Sequence, residues 1–164
     1  MIFLALWLTI GSVRVFVLLL QLSRIRKLKH GALPPSAGLN ELLQKLTTGL
    51  AVNRKVQLRM SPTHRSSFLL GFLHPVILLP AEARMEPGEA ELVLRHELAH
   101  LQRRDDWANL VQQFVLAVCF FHPAVWWVSK QLSLEREIAC DDHVLQQSKH
   151  PQAYALVLAN LAAA

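Results

Sequence analysis

An apolar segment near the N-terminus constrains the fold more than any other feature of the sequence. Residues 2–22 read IFLALWLTIGSVRVFVLLLQL, and Arg14 carries the only charge among them. As a helix these twenty-one residues are about 31 Å long, which matches the hydrocarbon thickness of a bilayer. Arg14 costs about 2.5–3.5 kcal/mol on insertion, whereas the fourteen Leu, Ile, Val and Phe side chains contribute about 4–8 kcal/mol in favour. The segment therefore predicts a transmembrane helix, in which Arg14 either snorkels to the surface or faces another helix.

Basic residues follow this apolar segment directly and predict its orientation. They are Arg24, Arg26, Lys27, Lys29 and His30. Because Lys and Arg are enriched on the cytoplasmic side of membrane spans, we expect the chain after the segment to lie in the cytoplasm. The cluster also explains much of the net charge of +5 without a nucleic-acid ligand. Two alternatives stay open, a buried helix of a soluble protein and a cleaved signal peptide. The latter lacks both a basic region before the segment and an A-x-A site after it.

The remaining chain alternates between helical and strand-like patterns. A linker with Pro and Gly, ALPPSAG, occupies residues 32–38. Apolar periodicity predicts helices over residues 39–50, 87–105 and 132–147 and after Pro151, and strands over residues 56–60, 68–70 and 76–79. We expect a predominantly helical α+β fold with a short antiparallel sheet, divided into a membrane helix with its flank (residues 1–30) and a folded domain (residues 31–164). Because LANLAAA ends the sequence without a stop signal, we expect a fragment of a longer protein.

Residues 96–100 read HELAH and match the pattern H-E-x-x-H. Histidines four residues apart on a helix are rotated by about 40°, so the imidazoles of His96 and His100 can reach one metal ion. Two imidazoles and a carboxylate suit zinc and leave a fourth position for water. Zinc lowers the pKa of that water to about 7, so Glu97 can accept its proton. By itself the pentapeptide is also typical of a surface helix with two hydrogen-bonded histidines.

A third zinc ligand is expected in the acidic run EREIACDD, residues 135–142. Glu137 and Asp141 are one helical turn apart, so Glu137 can bind the metal while Asp141 accepts a hydrogen bond from a ligating imidazole. Glu135 stays open as an alternative ligand, and the run can also be an ordinary charged helix surface. Less favoured ligands are Cys140 and His122.

The spacing of these ligands restricts the apolar stretch between them. His100 and Glu137 are 37 residues apart, and residues 107–128 between them are mainly apolar. A single crossing of the bilayer would place the two ligands on opposite sides. If they share one ion, the stretch must be buried in protein, lie in the membrane interface, or enter the membrane and return. His122-Pro123 is a natural place for the bend. A second simple span without a shared site is the alternative.

Several motifs occur together in an order that is similar to a known family. RHELAHLQRRD, FFHPAVWW and EREIACDD, with GFLHPVILLP upstream and a membrane segment with a basic tail, resemble the BlaR/MecR family of membrane zinc metallopeptidases. This family contains the antirepressors and sensor-transducers of beta-lactam resistance. The resemblance covers nearly the whole chain. It implies a gluzincin-type zinc peptidase domain on the cytoplasmic side of a multi-span protein in the bacterial inner membrane.

The resemblance also implies individual roles. It assigns zinc binding to His96, His100 and Glu137, catalysis to Glu97, and the family's acidic position one turn after the third ligand to Asp141. Family members usually have further spans before this region and often a sensor module after it. The sequence contains neither of these, nor an S-x-x-K signature, so a beta-lactam stimulus is not predicted.

The expected function is that of a zinc-dependent metalloendopeptidase, a hydrolase with an antirepressor-like role in signal transduction. Its expected partners are the lipid bilayer and a protein substrate, either a transcriptional repressor or the chain itself, without direct nucleic-acid binding. An extended substrate can pair with the strand that ends at Leu79, and Tyr154 and Arg136 are candidates for stabilising an oxyanion. The alternatives are a catalytically silent, zinc-stabilised transducer and a basic membrane- or nucleic-acid-binding protein without metal.

Overall fold

A computed structural model describes residues 1–64, 66–81, 87–147 and 154. In chain order, the elements within these ranges are α1 (Ile2–Gly31), α2 (Ala37–Gly49), β1 (Gln57–Ser61), β2 (Phe68–Leu70), β3 (Val76–Pro80), α3 (Pro87–Gln102), α4 (Asp105–Val118) and α5 (Pro123–Gln147). The predicted α+β class with a predominance of helix is confirmed. The helix predicted after Pro151 lies outside the described residues, and the domain boundary after residue 30 stays a prediction.

Helix α1 contains the predicted membrane segment. Leu4–Ser23 is long and apolar enough to span a bilayer, with a mean hydropathy of 1.9, and none of it is buried inside the protein. One stripe of α1 packs against α4. The guanidinium of Arg14 lies over the Phe120 ring, 4.9 Å from its centroid. Arg14 was predicted either to snorkel to the membrane surface or to face another helix. The structure has the second arrangement, because Arg14 also lies over the ring of Trp126.

The core lies between helices α2 and α3 and the small sheet. Helix α2 begins after Ser36, whose hydroxyl accepts a hydrogen bond from the Leu39 backbone and so caps the helix. Its buried side chains and those of α3 pack on the strands in one cluster, which comprises Leu43, Leu46, Leu58, Ile77, Leu79, Val93, Leu94, Leu98 and Leu101. Each such side chain contributes about 1.5–3 kcal/mol when fully buried, so this cluster fixes the position of α3.

The sheet has the strand order β1-β3-β2 and is mixed. Strand β2 is antiparallel to β3, as expected for two strands joined by a turn, but β1 is parallel to β3. The expectation of an antiparallel sheet therefore holds for one pair only. Strand β3 lies in the centre, antiparallel to β2 on one side and parallel to β1 on the other. Both edges of β3 are thereby occupied. The expectation that the strand ending at Leu79 pairs with a substrate is wrong for this reason.

The helix predicted over residues 87–105 ends three residues earlier than expected. Helix α3 ends at Gln102, and Arg104 adopts a left-handed conformation with φ of 58° before α4 begins at Asp105. This turn changes the chain direction and brings Asp105 beneath the end of α3, where it is 8% exposed. Asp105 and Asp106 stand in the first turn of α4, where carboxylates interact favourably with the helix dipole.

Helices α4 and α5 form an antiparallel pair, which we call the hairpin, and residues 119–122 are its tip. Gln112 is hydrogen-bonded to Ser129 and Ser133, whereas Arg136 lies near Asp105, so the two helices run in opposite directions. Helix α5 begins at Pro123, nine residues earlier than predicted from the sequence, because Pro is favoured in the first turn of a helix. The bend predicted at His122-Pro123 is confirmed, because α4 ends before it and α5 begins at Pro123. Helix α5 then runs back to pack against α3.

Candidate metal centre

Three potential ligand atoms converge between α3 and α5. The two histidine Nε2 atoms, of His96 and His100, are 3.2 Å apart. Glu137 Oε2 lies 3.6 Å from Nε2 of His96 and 3.7 Å from Nε2 of His100. Donors at 2.0–2.2 Å from one tetrahedral ion are about 3.3–3.6 Å apart, so this set fits a single ion. A pair of imidazoles with one carboxylate is a donor set that suits zinc.

The packing of α3 and α5 produces this convergence. Leu94 and Leu98 are fully buried in the core, and His96 and His100 follow each of them by two residues, about 200° around the helix. The histidines therefore lie away from the core, toward α5, which packs on α3. The Glu137 side chain is 58% exposed, so the centre is open to solvent on that side.

The alternative ligands lie elsewhere among the described residues. Glu135 does not belong to the group of converging ligand atoms. It lines the groove between α4 and α5 instead. His122 is exposed at the hairpin tip. Cys140 is fully buried, as a small apolar-like residue was expected to be, and contacts His100 on the side away from Glu137.

Each histidine has a carboxylate at its other ring nitrogen. Asp141 Oδ1 is 3.0 Å from Nδ1 of His96, and Asp105 Oδ2 is 2.9 Å from Nδ1 of His100. A carboxylate at Nδ1 favours the tautomer that carries the proton there and leaves the Nε2 lone pair for a metal. The structure thus gives Asp141 the contact that the sequence analysis expected.

Asp105 and Cys140 both contact His100, and neither contact was predicted from the sequence. Cys140 Sγ lies 3.2 Å from Nδ1 of His100 and 3.6 Å from Asp105 Oδ2. The three residues form a second group with converging donor atoms, directly behind the first. The pair of aspartates after HELAHLQRR was the available signal, but a continuous helix would have placed Asp105 away from His100.

Tyr154 and Arg136 both lie on the Nδ1 side of the histidines. The Tyr154 hydroxyl is 2.9 Å from Nδ1 of His96 and donates a hydrogen bond of 2.7 Å to Asp141. Burial, and then this contact with Asp141, raise the pKa of Tyr154 above its ordinary value. Arg136 donates to Gln112 and lies 3.8 Å from Asp105. These contacts favour a role in positioning the histidines over the oxyanion role considered from the sequence.

The glutamate of HELAH is buried beside the ligands. Glu97 is 4% exposed, and this burial raises its pKa above the ordinary value. The nearby His96 and a hydrogen bond from the Ser67 side chain oppose the rise. A carboxylate in such surroundings binds a proton more readily than one in water, which is the property that a general base requires.

The charge around the ligands favours a cation. Burial lowers the pKa of His100, but hydrogen bonds with Cys140, Glu137 and Asp105 outweigh it and raise the pKa to about 11. Hydrogen bonds with the two histidines hold the pKa of Glu137 below its ordinary range. The carboxylates therefore stabilise positive charge at the position where the ligand atoms meet.

Comparisons with known proteins identify a family for the chain. The profile of the family described as BlaR1 peptidase M56 matches residues 1–164. The chain is 32% identical over 146 residues to the "Regulatory protein BlaR1" of Bacillus licheniformis, across 88% of this chain and 24% of that protein. It thus spans about a quarter of the length of this relative.

A solved structure is also similar to the chain. The crystal structure of the metallopeptidase zymogen of Pyrococcus abyssi abylysin matches 66% of this chain and 93% of that chain, with 21% identity and a TM-score of 0.37. The family assignment depends on the sequence match alone, which extends over every residue of the chain. The chain therefore belongs to the BlaR1 peptidase M56 family.

Proposed function

We propose that this chain is a zinc-dependent metalloendopeptidase domain of a regulatory protein in the bacterial inner membrane, with its metal centre on the cytoplasmic side. The observation that carries the proposal is the convergence of His96, His100 and Glu137 next to the buried Glu97. Membership of a peptidase family supports the reaction type. The apolar α1 and its basic flank support the location.

The positions of the residues support the following roles. His96, His100 and Glu137 would hold the ion, while Asp141 and Asp105 would keep the two imidazoles in the ligating tautomer. When bound, zinc supplies a Lewis acid that activates a water and polarises the scissile carbonyl. Glu97 takes one proton from the attacking water and delivers it to the leaving amine, so the carboxylate is regenerated in each turnover.

The outer edge of β2 is the place where an extended substrate would pair. Among the described strands, β3 is central, and the outer side of β1 is bridged to Leu33 at Met60. Strand β2 follows Ser67, whose side chain is hydrogen-bonded to Glu97, so its edge leads to the catalytic carboxylate. A peptide added to this edge would gain main-chain hydrogen bonds whatever its sequence.

The substrate that we propose is a protein of the same signalling system. The relative from Bacillus licheniformis is named a regulatory protein. A peptidase held at the membrane can relay a signal by cleaving a cytoplasmic transcriptional repressor, which is an antirepressor-like role, or by cleaving itself.

Substitution of the proposed base tests the function. Glu97→Gln removes the proton acceptor but leaves all three ligands, so cleavage of the repressor or of the chain itself should fall by about 10²–10⁴-fold while zinc is retained. Glu91→Gln is the matched control, because Glu91 lies on the same helix and is paired with Arg95. Undiminished proteolysis by Glu97→Gln would contradict the proposal. Signalling that persists without any proteolysis would favour a catalytically silent transducer instead.

A further inference from the structure

The hairpin of α4 and α5 has an apolar outer surface. Val111 is 60% exposed, Phe114 53%, Phe121 63% and Trp127 65%. A groove of about 920 Å³ between the two helices continues this surface and is lined mainly by apolar side chains. Contiguous exposed apolar surface of this kind marks a site for a protein or a membrane.

Four polar side chains of the hairpin contact one another between its two helices. Gln112 donates to the Ser129 hydroxyl at 2.6 Å and to the Ser133 hydroxyl at 3.0 Å, and its carbonyl accepts from Arg136 at 2.8 Å. These four side chains are thus paired between the two helices, whereas the large apolar side chains named above lie exposed on the outside. This arrangement is opposite to that of a hairpin surrounded by water.

The tip of the hairpin satisfies backbone carbonyls with indole N–H groups. Trp7 of α1 donates to the Val118 carbonyl at 3.1 Å, and Trp126 donates to the Phe120 carbonyl at 2.8 Å. Carbonyls at a helix end have no partner within the helix and are usually left to water. In hydrocarbon they require a partner within the protein, and here two tryptophans provide it.

The contacts with α1 show which part of that helix lies beside the tip of the hairpin. Trp7 and Arg14 both lie within Leu4–Ser23, and Arg14 lies over the rings of Phe120 and Trp126. Arg14 precedes Ser23 by nine residues, or about 14 Å of helix. The tip therefore lies beside the middle of the apolar part of α1.

Helix α4 is long enough to reach from the tip, beside the middle of α1, to the metal centre beyond the end of the span. Helix α4 has 14 residues and is about 21 Å long, enough to carry Asp105 back beyond the end of the span at Ser23. Lys130 follows Pro123 by seven residues, about 10 Å along α5. Its long side chain can extend its ammonium group toward the headgroups.

We propose that the hairpin is a re-entrant membrane element, which enters the bilayer beside α1 from the side of the metal centre and turns at residues 119–122. Lipid acyl chains cover its apolar outer surface and fill the groove. The proposal needs α1 to span the bilayer but is independent of peptidase activity. It assigns the apolar stretch between His100 and Glu137 to the last of the three placements considered from the sequence.

Depth-dependent fluorescence quenching in lipid vesicles tests this placement. The full chain carries Cys119→Ser, and Cys140 stays unlabelled because it is fully buried. An environment-sensitive dye is attached to the tip through Phe121→Cys. Phe16→Cys, exposed on α1, is the reference for the membrane interior, and Asn53→Cys, exposed before β1, is the reference for water.

Two quenchers separate the outcomes. We expect a nitroxide on the lipid acyl chain to quench the Phe121 label as strongly as the Phe16 label, with a loss of the iodide quenching seen at Asn53. Iodide quenching equal to that at Asn53 would overturn the proposal, because the tip would then lie in water. Protection from both quenchers would also overturn it, because protein would then cover the surface. Trp127→Cys repeats the test on α5 if Phe121→Cys does not fold. None of these readouts depends on zinc or cleavage.

Discussion

Asp105 holds the imidazole of His100 from behind, with 2.9 Å between Asp105 Oδ2 and His100 Nδ1. Asp105 is the first residue of α4, so the hairpin contributes directly to the orientation of a proposed metal ligand. Gln112 and Arg136 extend this contact along the hairpin, because Arg136 lies near Asp105 and donates to Gln112. The α4–α5 pair and the proposed metal centre are therefore parts of one network of hydrogen bonds and ion pairs.

Asp105→Asn should weaken zinc binding by about 10–100-fold, because a neutral amide orients the imidazole less well and no longer stabilises the charge on the metal. Competition with a chelating dye measures the affinity. Asp142→Asn is the control, since Asp142 is exposed on α5. Equal affinities for the two variants would contradict the role given to Asp105.

Asp141 and Tyr154 act on His96 as a pair. Asp141→Asn should weaken zinc binding by about 10–100-fold, and Tyr154→Phe should do so less, because the carboxylate stays in place when the hydroxyl is lost. Because both residues contact Nδ1 of His96 and also each other, the double variant should lose less zinc affinity than the sum of the two single losses. A double variant whose losses simply add would show that the two residues act independently.

Much of the proposed ligand set was accessible from the sequence because it depends on local geometry. His96 and His100 are one turn apart on one helix, as are Glu137 and Asp141, and such spacings survive in any fold that keeps the helices. Asp105 was missed because no Gly or Pro marks the turn at Arg104, where the left-handed backbone separates α3 from α4.

Long-range pairing was the other part that the sequence left undetermined. Each strand was visible as an apolar run, but apolar runs do not encode which strands are neighbours, and so the parallel pairing of β1 with β3 was not foreseen. The choice between two environments for Arg14 likewise depends on aromatic rings more than one hundred residues away.

The contacts of Gln112 between α4 and α5 can be tested by comparing its substitution with that of its exposed neighbour Gln113. Gln112→Leu leaves Ser129 and Arg136 without their partner and should lower the free energy of unfolding by about 1–3 kcal/mol. Gln113→Leu, at an exposed position next to it, should have little effect. Denaturant unfolding in detergent micelles compares the two variants, and equal stabilities would argue against the inward polar contacts.

The central claim is that Glu137 completes a single zinc site with the two histidines of HELAH, and the zinc content of the purified chain tests it most directly. Glu137→Gln is compared with Glu135→Gln, two residues earlier on α5 and outside the ligand group. We predict one zinc ion per chain for the wild type and for Glu135→Gln, and loss of the ion from Glu137→Gln under the same dialysis. Retention of zinc by Glu137→Gln, or its loss from Glu135→Gln, would contradict the account.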